Sequence, residues 1–261
     1  MGALVLAEGA TFEPPGAGSF ILPPIFGSVT KPMVLVVLSV VIIATYFLLA
    51  TRKLKVVPGK GQYIAESIYD FSRNNIAREQ IGSKDFKRFV PVIFALFTFI
   101  LVNNLYGIIP FLQFPTMARF GFPIALSVLV VYPVYHFVGI KRHGLGGYFK
   151  KELAPPGVPA AVLPLFSLIE FAEKFLLNPI TLAIRVFAAM FAGHLILAVF
   201  TLGGTFLLTE TSSWALKPVS LVAWIFAIGL TLLEAFIQVL QAYIFALLSA
   251  GYIGAALASE H

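Results

Sequence analysis

The order of hydrophobic and polar positions divides the chain into long apolar runs separated by short polar segments. The first run, residues 33–50, has the length that crosses a hydrocarbon core of ~30 Å, and the basic sequence "TRKLK" ends it. Two further runs, 89–111 and 122–140, are joined by a short loop and predict a membrane hairpin over 89–140. A basic connector rich in glycine and proline, 141–159, follows this hairpin, and the last two runs, 161–208 and 218–257, are longer than the others.

Residues 62–80 follow a different pattern, because apolar and charged positions alternate with helical spacing. Ile64, Ile68 and Ile76 mark one face, while acidic and basic residues occupy the remaining arc. This predicts an amphipathic helix that lies along the membrane interface. An ordinary solvated helix packed on another subunit is the alternative.

The last two runs each exceed 35 residues, which is well over about 50 Å of helix at 1.5 Å per residue. Such helices must tilt, kink or protrude, and Pro179, Gly193, Gly203 and Gly204 are places where the first could bend. The pattern therefore predicts an all-α polytopic membrane protein with five membrane helices and one interfacial helix. The last two membrane helices are expected to be strongly tilted, and 1–261 to form a single membrane domain.

Composition agrees with this class, since 59% of the residues are hydrophobic, 11% are charged and the mean hydropathy is +0.93. The chain has no cysteine, and its four histidines lack metal-ligand spacing, so we expect neither a metal nor another cofactor. The net charge of +6 does not indicate nucleic-acid binding. The basic residues flank apolar runs, where topology and anionic lipid of the bilayer explain them.

The distribution of lysine and arginine predicts the orientation. Nine lie between 51 and 88 and four between 141 and 151, whereas the opposite-side segments hold only Lys31, Arg119 and Lys217. The positive-inside rule therefore places the N-terminal tail, 1–31, outside and the C-terminus in the cytoplasm. The tail lacks the basic start of a cleaved signal peptide.

Three ionisable residues are isolated inside the last two runs. Arg185 and His194 are the only ones between Lys174 and Glu210, and Glu234 is the only one from 218 to 257. A charge at such depth costs several kcal/mol unless it is paired or hydrated, so each is a functional candidate. A structural Arg185–Glu234 salt bridge is the alternative.

Helical spacing separates these residues. Arg185 and His194 are nine apart, on opposite faces of one helix, whereas Glu234 and Gln241 are seven apart and share a face. If the helices run antiparallel with Gln241 level with Arg185, then Glu234 lies at nearly the depth of His194. This predicts a His–Glu pair in an outward-facing aqueous pocket beside a lone arginine.

Small side chains surround these positions. Arg185 is followed by Ala188, Ala189, Ala192 and Gly193, and the last helix carries a ridge of small residues at every fourth position: Ala242, Ala246, Ala250, Gly254 and Ala258. A ridge of this kind lets another helix approach closely. Packing between helices of the chain itself explains it equally well.

Three motifs resemble subunit a of the F-type ATP synthases. They are "NPITLAIRVFAAMFAGH" at 178–194, "QAYIF" at 241–245 and "NLYGIIP" at 104–110. The resemblance implies that Arg185 is the family's essential arginine, that Gln241 is the glutamine near it, and that His194 and Glu234 line the outer half-channel. Many bacterial members have this Glu and His exchanged. The family's usual asparagine four residues after the arginine is Ala189 here, which puts the role of that asparagine in doubt.

The family implies a stator subunit in the bacterial plasma membrane that couples proton flow to rotation of a ring of c subunits. Two offset half-channels would meet at Arg185, facing one carboxylate on each c subunit, and b-type peripheral stalk subunits would be further partners. Glu170 and Glu173 are candidates for the inner exit, although an interfacial charged turn with Lys174 also explains them.

Two other functions stay open from the sequence. A stand-alone secondary transporter or ion channel could use Arg185 to bind an anion, but paired repeats and broken helices in corresponding halves are not evident. A structural scaffold is the weaker alternative. Because the chain has no G-x-x-x-x-G-K-[ST] loop, we do not expect it to make or hydrolyse ATP itself.

Overall fold

A computed structural model of the protein describes residues 12–154, 159, 162–211 and 214–258. Five helical segments in this part of the chain are long and apolar enough to cross a membrane. This confirms the predicted fold class and the number of membrane helices.

The elements follow one another in a simple order. Near the N-terminus are a 3₁₀ turn, Ala17–Phe20, and a short antiparallel hairpin of β1 (Pro24–Phe26) and β2 (Val29–Thr30). The α-helices are α1 (Lys31–Thr51), α2 (Lys60–Asp70), α3 (Glu79–Ile81), α4 (Phe86–Leu105), α5 (Gly121–Leu126), α6 (Tyr132–Leu153), α7 (Leu163–Phe171), α8 (Asn178–Thr209) and α9 (Lys217–Leu257).

Three π-helical stretches join some of these helices: Phe71–Arg78, Ser127–Val131 and Ala172–Leu177. The second and third come directly before helices with a proline at the start, Pro133 in α6 and Pro179 in α8. A proline has no N–H for the preceding turn, and its ring pushes that turn's carbonyl aside, so a wider turn fits there. The hydroxyl of Ser127 donates to the carbonyl of Pro179 at 2.8 Å and links the two stretches.

The predicted amphipathic helix is present from residue 60 to residue 81. Its apolar side packs within the chain, against α4 and α9, and Ile76 and Ala77 are fully buried. The ridge of small residues on α9 takes part in this packing, because Ala242, Ala246 and Ala250 are fully buried and Gly254 lies against the backbone of Gln80. Internal packing therefore accounts for this part of the ridge.

The segment after the third span differs from the expected loop-like connector. Helix continues to Leu153, with a single break at Gly144, whose φ of 73° favours glycine. The helical turns beyond the break dock on the rest of the molecule, since Tyr148 and Glu152 are buried. Packing has outweighed the low helix propensity of the nearby glycines.

The two long runs form helices of the expected length. One helical segment covers Leu163–Thr209, with a π-helical stretch inside it. The segment is regular α-helix at Gly193, Gly203 and Gly204. The other, α9, is uninterrupted over 41 residues. The glycines therefore do not interrupt the helix. The tilt of both long helices stays a prediction.

Candidate functional site

Helices α8 and α9 form the most extensive helix pair in the described chain. The two helices approach each other closely at glycines. A Cβ atom added to Gly204 would lie 2.6 Å from the Trp224 side chain, and one added to Gly193 would lie 3.6 Å from the Glu234 side chain. These two contacts establish an antiparallel register. The same register brings Ala242, next to Gln241, level with Arg185.

His194 and Glu234 meet between these helices. The distance from His194 Nδ1 to Glu234 Oε1 is 3.7 Å, and the two side chains are 18% and 4% exposed. The sequence predicted this pairing from helical spacing, and the structure brings the two groups together. A carboxylate buried to this degree needs partners, because desolvation disfavours its charged form.

Gln238 supplies one of these partners, and sequence reasoning missed it. Its side-chain amide donates to Glu234 Oε1 at 3.2 Å, and the residue is fully buried. The signal was present in the sequence, since a glutamine four residues after Glu234 shares its helix face.

The "NLYGIIP" segment contacts α9 at the same place. The amide of Asn104 donates to the backbone carbonyl of Gln238 at 3.1 Å, and a Cβ on Gly107 would lie 2.8 Å from Gln238 Nε2. The adjacent Tyr106 is buried. The segment thus closes one side of the pair without adding a charge.

Several buried polar atoms along this interface have no hydrogen-bond partner within the described residues. They are Asn104 Oδ1, His194 Nδ1, Glu234 Oε2, Gln238 Oε1 and Gln241 Oε1. Buried polar atoms are ordinarily satisfied by protein groups or by ordered water. These atoms belong to α4, α8 and α9, so the unpaired polar groups gather where the three helices meet.

A cavity of about 280 Å³ reaches His194 from the end of the molecule that carries the N-terminal segment. Ser19, Lys31 and Gln113 contribute polar groups to its lining. Phe20 closes part of it, with its ring centroid 4.6 Å from that of Phe191 and 5.9 Å from that of His194. The described part of the N-terminal tail is therefore folded onto the mouth of this cavity.

Arg185 has the opposite environment. It is exposed on α8, on the same side as the exposed Ala188 and Ala192. Within the described residues it forms no ion pair with Glu234, so the structural salt bridge considered from the sequence is absent there. Gln241 Oε1 has no hydrogen-bond partner in that part of the chain, Arg185 included, although the two helices place these residues at similar depth.

The two candidates for the inner exit differ from each other. Glu170 forms an ion pair with Lys174 at 2.8 Å, whereas Glu173 is exposed. Lys174 also pairs with the buried Glu152 at 3.1 Å, and the hydroxyl of Tyr135 donates to Glu152 at 2.8 Å. Sequence reasoning missed this cluster, because Glu152 lies in the segment expected to be a connector.

Comparison with known proteins identifies the family. The family described as ATP synthase A chain matches residues 33–254. The chain belongs to this family. An ATP synthase subunit a from a Nocardioides species is 44% identical over 98% of the chain and 96% of the relative. The proteins of the same name from Streptomyces lividans and Rhodococcus erythropolis are 39% and 40% identical, over 97% and 88% of the chain and 91% and 83% of the relatives.

Family membership decides between the functions left open by the sequence. Subunit a is the proton-conducting stator subunit of the membrane sector of ATP synthase, and the catalytic sites lie in other subunits. The protein therefore works within that complex as a multi-pass membrane subunit, and a stand-alone transporter is excluded.

Proposed function

We propose that Arg185 separates two half-channels and that His194, Glu234 and Gln241 form the outer one. The observation on which this rests is the contrast in surroundings. Arg185 is exposed at the middle of a membrane helix without a partner in the described chain, whereas His194 and Glu234 turn inward and meet at 3.7 Å.

The outer path begins at the cavity that reaches His194. An imidazole can accept a proton at one ring nitrogen and release one from the other, and His194 Nδ1 lies 3.7 Å from Glu234 Oε1, so a proton can pass between the two groups. Gln238 holds that carboxylate through its amide, and the unsatisfied oxygen of Gln241 lies further along the same helix. In this proposal Gln238 is a positioning residue.

The partner that faces Arg185 is a ring of c subunits. The exposed surface beside it is built from Ala188 and Ala192, which lets a neighbouring helix approach closely. A ring carboxylate can enter lipid only when it is protonated, because the charged form is too costly there. A guanidinium that never deprotonates attracts the charged form and repels a proton that would pass directly between the half-channels.

Glu173 is the better candidate for the inner exit. It is exposed in the π-helical stretch, whereas Glu170 is held by Lys174. The wider proposal includes b-type stalk subunits as partners and the bacterial plasma membrane as location, with the N-terminus outside and the C-terminus in the cytoplasm. The uneven distribution of lysine and arginine supports this orientation.

The test is proton movement in membrane vesicles that carry the complex with Arg185→Ala. ATP-driven pumping should be abolished with normal assembly, and passive proton leak with the soluble sector removed should be unchanged or raised. Arg78→Ala, which removes an exposed arginine outside the membrane helices, should leave both properties near normal. Near-normal pumping by Arg185→Ala would show that the arginine is structural and refute the proposal.

A further inference from the structure

A second cavity, of about 710 Å³, lies at the other end of the molecule. It is bounded by the start of α4, the part of α6 before Gly144, and Leu257 at the end of α9. The α4 and α6 helices form an antiparallel hairpin, so the start of one and the end of the other meet at the same membrane boundary. The cavity therefore opens where lipid headgroups lie.

Three basic side chains line this cavity: Arg88, Lys141 and Arg142. All three are exposed, and none forms an ion pair with a carboxylate in the part of the chain that the structure describes. Among the residues that the structure describes, Asp85 is the one acidic residue of the lining, so their side chains carry a net charge of two positive units. Arg88 and Lys141 lie over the rings of Phe89 and Phe137, each 6.0 Å from the ring centroid.

The region next to this cavity is apolar. A groove of about 540 Å³ runs between α1 and the α4–α5 hairpin, lined almost entirely by aliphatic and aromatic side chains such as Ile43, Phe94 and Leu126. Val92 lines both the groove and the basic cavity, so the two are adjacent. The basic cavity and the apolar groove thus meet at Val92 on α4.

We propose that this composite site binds one anionic phospholipid of the membrane. The phosphate occupies the basic cavity among Arg88, Lys141 and Arg142, and an acyl chain lies in the groove beyond Val92. Charge complementarity identifies the headgroup, since basic pockets between membrane helices attract anionic lipids. The shape of the groove identifies the rest of the ligand, because a free anion would leave an apolar groove of this size facing lipid without a specific occupant.

The lipid would hold together elements that otherwise share little surface. In the first span, α1, only 11% of the residues in its apolar 18-residue stretch are buried, and the groove lies between this helix and the hairpin. Leu257, at the end of α9, also lines the cavity. The neighbouring Ala256 is held against α6, because its carbonyl oxygen lies 3.0 Å from His143 Nε2. A bound lipid would therefore bridge α1, the hairpin and the end of α9.

The experiment is photo-crosslinking of the whole synthase in nanodiscs of phosphatidylcholine and phosphatidylglycerol in equal parts. In separate samples the phosphatidylglycerol or the phosphatidylcholine carries a diazirine on one acyl chain, and labelled peptides are identified by mass spectrometry. We expect phosphatidylglycerol to label the α1 and α4 groove residues preferentially. The combined change Arg88→Gln, Lys141→Gln and Arg142→Gln should reduce this labelling about tenfold or more.

Two further variants make the result specific. Arg52→Gln, Lys53→Gln and Lys55→Gln remove the same charge from an exposed loop at the same end and should leave groove labelling unchanged. Ala95→Trp fills the groove with the three cations intact and should also reduce the labelling. This second variant keeps the proposal testable if the triple cavity variant fails to assemble.

Four results would overturn the proposal. They are equal labelling by both lipids, groove labelling that survives the cavity substitutions, lipid labelling of a helix of another subunit in place of the groove residues, and full loss of groove labelling when inorganic phosphate is added. The last result would indicate a site for free anions. None of them depends on the role assigned to Arg185, which pumping assays test separately.

Discussion

At the scale of single residues, the membrane interior contains ionisable groups in two different situations. Glu234 is 3% exposed, receives a hydrogen bond from Gln238 and faces His194. Arg185 is exposed and has no ion pair within the described chain. A buried group with internal partners suits proton relay, whereas an exposed cation suits interaction with a charge on another subunit.

The proposed role of the His194–Glu234 pair predicts that the two residues can be exchanged. Glu234→Gln keeps the shape of the side chain but cannot titrate, so ATP-driven pumping should fall at least about tenfold. The double change His194→Glu with Glu234→His restores a titratable pair across the same 3.7 Å contact and should recover a substantial part of the rate. Pumping is measured in vesicles as quenching of a pH-sensitive dye.

The matched control for this pair is Glu210→Gln, which neutralises an exposed carboxylate at the end of α8 and should have little effect. Normal pumping by Glu234→Gln would remove this carboxylate from the proton path.

At the scale of elements, the helix beyond the Gly144 break shows how packing determines local structure. Tyr148 is 1% exposed and lies against Gly139, on the membrane-spanning part of the same helix. A Cβ on Gly139 would lie 2.5 Å from the ring. The docked segment also places Glu152 beside Lys174 and thereby connects α6 to the start of the long helical segment.

This contact predicts a contrast between two glycine substitutions in α6. Gly139→Ala should displace Tyr148 and lower stability by about 1–3 kcal/mol, as overpacking does. A Cβ atom added to Gly146 would meet no other atom within 4 Å. Because Gly146→Ala also replaces a poor helix former, it should be neutral or slightly stabilising. Thermal unfolding of the two variants of the detergent-solubilised complex checks this, and an equal loss for both would contradict the packing account.

At the scale of the whole molecule, the two ends have different chemistry. One end carries the cavity that reaches His194, together with the N-terminal segment. The other carries the basic loops and the cavity lined by Arg88, Lys141 and Arg142. The proposed proton entry and the positive-inside signal thus belong to opposite ends, which agrees with the proposed orientation.

The absence of cysteine from the sequence allows a direct test of orientation. Ser28→Cys lies at the exposed turn between β1 and β2, and Ser83→Cys lies in the exposed loop before α4. A membrane-impermeant maleimide should label Ser28→Cys from outside intact cells and Ser83→Cys only in inside-out vesicles. The reverse pattern would overturn the orientation predicted from lysine and arginine.

The sequence by itself determined the five membrane helices, the amphipathic helix and the isolation of Arg185, His194 and Glu234. These features follow from hydrophobic length and helical periodicity, which are local properties of the chain. The pairing of His194 with Glu234 was also predictable. Once Gln241 is placed level with Arg185 on two antiparallel helices, the rise per residue brings Glu234 to nearly the depth of His194.

Only the tertiary structure decided how the remaining residues are used. Gln238 and Asn104 meet through contacts between segments 134 positions apart, and Glu152 is buried because a glycine-containing helix docks on the rest of the chain. The basic cavity likewise combines side chains from α4 and α6. Such placements depend on which helix faces are buried against each other, and helical periodicity within one segment does not specify that choice.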